Sequence, residues 1–129
     1  MLVIDANVAV AACARSSGFD ELPEDLVGPP LLWSEARSTL HLQATKGEVA
    51  AERAEHLHER LNAAPVKRLD PPNLGAETWR IANDLGWGRT YDAEYVALAK
   101  LLDCRLVTLD TRLRRGADRL GFVVTPAEM

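Results

Sequence analysis

Two hydrophobic patterns alternate along the chain: short, wholly apolar runs, and longer stretches with apolar residues every three or four positions. Leu2-Val3-Ile4 is unbroken by any polar residue and ends at Asp5, as a strand buried on both faces would. The alanine-rich stretch Asn7–Ala14 then predicts a helix. Gly18, Pro23, Gly28, Pro29 and Pro30 punctuate the next segment, so residues 15–30 read as a loop with at most one short helix. From Pro30, suited to a first helical turn, Leu32, Ala36, Leu40 and Ala44 recur every four residues up to Gly47. An amphipathic pattern over 48–63 places Val49, Ala50, Leu57 and Leu61 on one face.

Val66–Leu69 predicts a short strand, closed by Asp70-Pro71-Pro72. Residues 75–85 predict a helix stopped by Gly86, and Thr90 is placed to cap another over Tyr91–Asp103. Arg105–Leu109 is the second clear buried strand, and it too runs into an aspartate. Residues 110–119 read as a short basic helix or turn, and Phe122–Thr125 as a last strand. Strands alternating with helices predict one α/β domain over residues 1–129, with three layers and a mostly parallel central sheet flanked by helices.

Composition changes this picture little. At 129 residues, 47% hydrophobic and 26% charged, the chain suits one globular domain with a proper core. No apolar run reaches the ~20 residues of a membrane span, and no leader precedes the first strand, so a cytoplasmic setting is expected. Cys13 and Cys104 are far apart and lack metal-ligand spacing, which predicts buried free thiols. The net charge of -4 weighs mildly against gripping nucleic acid by bulk electrostatics. Carboxylates clustered for a metal would themselves lower that charge.

The candidate chemistry lies in four acids. Asp5 and Asp110 each follow a buried strand, and ligands of parallel α/β sheets bind at the carboxyl ends of strands. Asp92 stands in the first turn of the helix after Thr90, and Glu35 on or beside the inward face of the helix after Pro30. Each has an ordinary explanation as well: Asp5 and Asp110 as helix caps, Asp92 as a partner of the helix dipole, Glu35 as a surface charge. Converging carboxylates need a counter-charge, because two of them ~5 Å apart repel by roughly 3 kcal/mol at an effective dielectric near 20. Oxygen ligands without cysteine or histidine point to Mg²⁺ or Mn²⁺ rather than Zn²⁺. The chain offers no G-x-S-x-G elbow, no H-E-x-x-H and no phosphate-binding glycine loop.

Val3-Ile4-Asp5-Ala6-Asn7, Trp33-Ser34-Glu35-Ala36, the run from Thr90 through Asp92 to Ala99, and Leu106-Val107-Thr108-Leu109-Asp110 resemble the PIN-domain ribonucleases, and among them the VapC toxins of toxin–antitoxin pairs. The resemblance spans nearly the whole chain, in order, and is most specific from Asp92 to Asp110. It implies a Mg²⁺-dependent endoribonuclease, RNA as substrate, a VapB-like antitoxin as partner, and a homodimer. It makes Asp5, Glu35, Asp92 and Asp110 metal ligands or water activators, with Asn7 and Thr108 as hydrogen-bonding neighbours. Asn7 as a plain helix cap and Thr108 as a strand filler are the ordinary alternatives. The loop over 15–30, poor in obvious helix, is where the chain departs from the family's partner-binding region.

Arg89, Arg112, Arg114 and Arg115 are candidates for holding RNA phosphates, Arg119 completing a basic cluster that could equally be a solvated face. His41, His56 and His58 are expected on the surface, away from metal. Trp33, Trp79 and Trp87 are expected in the core or at an interface rather than stacking bases. A phosphoacceptor signalling domain is a competing reading, though it expects a lysine after a late strand where this chain has Asp110 and arginines. A catalytically inactive RNA-binding module of the same fold is another.

Overall fold

The computed structural model describes all residues, 1–129. Five strands, β1 (Leu2–Ile4), β2 (Leu26–Gly28), β3 (Val66–Arg68), β4 (Arg105–Val107) and β5 (Val123–Val124), form one sheet in the order β3-β2-β1-β4-β5. Every pairing is parallel, with Val3 level with Val27 on one side and with Leu106 on the other. The sheet is thus wholly, rather than mostly, parallel.

Six helices flank it: α1 (Ala6–Ala14), α2 (Leu31–Thr45), α3 (Ala51–Asn62), α4 (Leu74–Leu85), α5 (Tyr91–Leu101) and α6 (Thr111–Gly116). They pack in two groups, α1 with α2 and α3, and α4 with α5, which also lies on β1 and β4. No helix is long and apolar enough to cross a membrane.

The apolar runs explain the centre of the sheet. Leu2, Val3 and Ile4 of β1 are wholly buried, as are Leu106 and Val107 beside them. Helix α5 carries no amphipathic stripe, because Ala93 and Tyr95 to Ala99 are all buried between α4 and the sheet. Gly86 ends α4 in the left-handed conformation, its φ of 70° and the bonds from its N–H to the last carbonyls closing the helix.

Strand β2 corrects the reading of residues 15–30 as loop. Its three residues sit between Asp25 and Pro29, so no periodicity can develop. It forms because its Leu26 and Val27 fill the gap between β1 and β3. Its last residue, Gly28, lies against the wholly buried Leu32 at the start of α2: a Cβ there would meet Leu32 Cδ1 at 2.7 Å. Gly28→Ala is accordingly expected to destabilise the protein by about 1–2 kcal/mol through overpacking. Urea unfolding checks this, and an unchanged midpoint would show that Leu32 yields freely.

Three local expectations also need correction. Thr90 precedes α5, but its side chain makes no capping bond. Helix α3 starts at Ala51, leaving Val49 and Ala50 outside it, and buries Ala54, Leu57 and Leu61. His58 is half-buried, its Nε2 accepting from the Arg37 guanidinium at 3.0 Å. Cys13 and Cys104 are both free thiols, Cys13 buried but Cys104 only half-buried just before β4.

Candidate active site at the carboxyl edge of the sheet

Parallel β1 and β4 end side by side, and so they deliver Asp5 and Asp110 to one edge. Both aspartates are caps, as the ordinary reading held. Asp5 Oδ1 accepts from the N–H of Val8 at 3.0 Å, and Asp110 Oδ1 from those of Arg112 and Leu113 at 2.9 and 3.2 Å. Capping uses one oxygen of each carboxylate and aims the group at the edge. The two roles therefore coexist.

Thr108 joins them. It is wholly buried, its hydroxyl donates to Asp5 Oδ2 at 2.5 Å, and the same oxygen accepts from the Asp110 N–H at 3.0 Å. One side chain thereby sets the position of both acids. Asp92, the second residue of α5, and Glu35, in the second turn of α2, complete a cleft of about 90 Å³ together with Asn7, Thr39 and Tyr95. All four predicted acids and Asn7 share this cleft. Asn7 is exposed and bonds to none of the acids.

Charge accumulates here with only partial internal compensation. Burial pushes the Asp5 carboxyl above the usual carboxylate range; the Thr108 and Val8 bonds oppose this, and the charges of Asp92 and Asp110 add to it. Asp92 is pushed the same way, by burial and then by Asp110, with Arg112 pulling it back. Glu94, one turn along from Tyr91 on α5, is raised by burial and by Asp70 and Glu35. Larger pockets lie elsewhere, the largest of about 570 Å³ at the opposite edge around Met1 and Asp25. The small acidic cleft is the chemically distinctive one, because mutually shifted acids mark sites built for charge.

These shifts imply a pH dependence. In the metal-free protein, folded Asp5 and Asp92 keep protons at pH values where the unfolded chain has lost them. The stability these two groups contribute is therefore fully present below the ordinary carboxylate range and is lost as pH rises through the raised values. Asp5→Asn is expected to flatten that decline when denaturation is followed in a chelator between pH 4 and pH 8. Parallel profiles for parent and variant would refute the assignment.

The donor set suits a hard divalent cation. It consists of oxygens only, the Asp92 carboxylate has no hydrogen-bond partner in the chain, and Asp110 Oδ2 and Glu35 Oε2 are likewise free. No three acidic, histidine or cysteine side chains close on one point as a ready cage. Mg²⁺ does not require one, since it takes one or two carboxylates directly and retains several waters.

The arginines divide. Arg114 is committed to Glu128 at 2.8 and 2.9 Å and to Asp118 at 2.6 Å, which clasps the C-terminal turn to α6. Its guanidinium is not available to a strand of RNA. Arg119 bonds the carbonyl of Asp84. Arg89, Arg112 and Arg115 remain exposed and form no ion pair. Trp33 is core, with Arg68 over its ring at 4.5 Å, Trp87 packs on Gly116, and Trp79 is 66% exposed.

A PIN domain family model matches residues 2–119. The chain belongs to the PIN-domain family. Within that family it is 35% identical to ribonuclease VapC9 of Mycobacterium tuberculosis, over 98% of this chain and 99% of the relative. The VapC ribonuclease Mb0985 of Mycobacterium bovis matches to the same extent. Among solved structures, PAE2754 from Pyrobaculum aerophilum superposes with a TM-score of 0.79 at 26% identity, covering 98% of this chain and 90% of that one. A toxin–antitoxin complex from Klebsiella pneumoniae shares the fold, with a TM-score of 0.70 at 17% identity and 98% of both chains covered. Both mycobacterial relatives are named ribonucleases.

Tyr95 and Thr39 line the cleft but carried no sequence-level role. Tyr95 lies three residues after Asp92 and Thr39 four after Glu35, so helical periodicity puts each beside an acid. That spacing was the available signal.

Proposed function

We propose that this chain is a Mg²⁺- or Mn²⁺-dependent endoribonuclease and the toxin of a toxin–antitoxin pair. The observation that carries the reading is the convergence of Asp5, Glu35, Asp92 and Asp110 on one cleft in a PIN domain whose relatives are VapC ribonucleases. Asp5, Asp92 and Asp110, with Glu35 across the cleft, would hold the cation. A bound divalent ion supplies an acidified water and offsets charge on the phosphoryl oxygens. Cleavage joins the water oxygen to phosphorus as one bridging P–O bond breaks, and the departing sugar oxygen is protonated.

The residues' own work is orientation and charge. Thr108 and the two caps fix Asp5 and Asp110. Asp92, with neither oxygen held by a hydrogen bond, is free to bind the cation or to take a proton from the water. Arg89, Arg112 and Arg115 are the free cations suited to RNA phosphates. A VapB-like antitoxin is the expected partner and a homodimer the expected assembly. The neighbouring reading frame tests the first of these: a small gene for a DNA-binding protein, whose co-expression relieves growth arrest, supports it.

Purified protein should cut RNA only with Mg²⁺ or Mn²⁺, activity being lost in EDTA and restored by either ion. Undiminished cleavage in EDTA would overturn the metal dependence. Failure to cut any cellular RNA, judged by mapping 5′ ends after induction, would overturn the nuclease reading in favour of an inactive module. No observation favours the phosphoacceptor reading, since Asp110 is followed by arginines on α6.

A further inference from the structure

The Tyr95 phenol is almost wholly enclosed, at 1% exposure, and one polar group meets it: Oε1 of Glu35, 2.6 Å from its hydroxyl. A carboxylate can only accept, so the phenol donates. The bond crosses the cleft. Tyr95 sits on α5, one turn beyond Asp92, whereas Glu35 projects from α2, a helix 60 residues earlier in the chain.

We propose that Tyr95 is a positioning residue, whose hydroxyl pins one oxygen of Glu35 to the helix that carries Asp92 and so holds the other oxygen in the cleft for the cation. Glu35 needs such help more than the aspartates do. Asp5 and Asp110 have short side chains fixed by backbone N–H groups, but Glu35 is longer, half-buried and bonded by no backbone group. Left free, it would spread over several rotamers and lose that conformational freedom on taking up an ion. Thr39, the next polar side chain of α2 in the cleft, does not bond to it. The tie also makes the placing of Glu35 and of Asp92 interdependent, because α5 carries the anchor of one and the backbone of the other.

This inference rests on the metal-nuclease reading, and the experiment separates the two. Mn²⁺ is titrated by calorimetry into the parent, Tyr95→Phe, Glu35→Gln and the double variant, and RNA cleavage is measured against Mn²⁺ concentration. Tyr95→Phe is expected to weaken Mn²⁺ binding roughly tenfold and to raise the Mn²⁺ needed for half-maximal rate by a similar factor. In the Glu35→Gln background the same change should do nothing further, because its only route to the ion is gone. Packing damage would multiply instead, with equal losses in both backgrounds.

Glu35→Asp supplies a variant that leaves the buried α5 untouched. It withdraws the carboxylate from the phenol and should weaken Mn²⁺ binding comparably. Unchanged Mn²⁺ affinity in Tyr95→Phe, or losses that multiply, would overturn the positioning role alone. A parent that binds Mn²⁺ with the expected coupling but cuts no RNA would overturn the nuclease reading and leave the positioning role standing. A parent that binds no Mn²⁺ overturns both.

Discussion

Asp92→Asn is expected to lower the rate of RNA cleavage roughly a thousandfold, about 4 kcal/mol of barrier, while the protein folds at least as well as the parent. The expectation comes from the two properties of Asp92 that set it apart. It contributes no hydrogen bond to the structure, and its charge is opposed by burial and by Asp110. Replacing it by the neutral amide removes repulsion and a cation ligand together. Stability and activity should thus move in opposite directions, as sites built under strain allow.

Asp5→Asn should lose activity to a similar degree, because asparagine still caps α1 through Val8 but no longer presents a charge. Single-turnover cleavage at saturating Mg²⁺, beside thermal melts in EDTA, reads both quantities. Parent-like cleavage by either variant would remove that acid from the machinery. A clear loss of stability in Asp92→Asn, which breaks no hydrogen bond, would show that this acid is structural instead.

Thr108→Val is the second large effect, and it strikes fold and site together. Valine matches threonine in shape, but it removes the hydroxyl that serves Asp5 Oδ2 and the Asp110 N–H. Two polar groups at a buried point lose partners, at about 3 kcal/mol in total, or roughly 10 °C in melting temperature for a chain of this size. Cleavage should fall by roughly 10- to 100-fold as Asp5 and Asp110 lose their common support. Thr108→Ser keeps the hydroxyl and gives up one buried methyl group, so activity should survive with a loss of about 1 kcal/mol. If valine behaved like the parent while serine did not, the hydroxyl would be irrelevant and only the methyl would matter.

How far the site was legible depended on each residue's distance from a strong local pattern. Asp5 and Asp110 come directly after runs too apolar to be anything but central strands, so their shared edge could be read once the sheet was taken as parallel. Asp92 was placed by the start of α5. Glu35 is different: it reaches the cleft only because α2 begins at Leu31, directly after β2, and β2 itself left no pattern in three residues between breakers. The arginines were less legible still. Arg112 and Arg114 are two residues apart on one short helix, yet one is free beside Asp92 and the other is locked to Glu128 and Asp118.

By itself, then, the sequence determined the fold class, the central strands and the acids at their ends. These depend on hydrophobic period and residue chemistry, which are local. Tertiary structure decided the rest: that Leu26–Gly28 is a strand, that one threonine serves two aspartates, that Arg114 is spent on the C-terminal turn, and that a tyrosine on α5 reaches a glutamate on α2. Each joins segments far apart in the chain. Whether such groups meet is settled by how sheet and helices pack, and no local pattern encodes it.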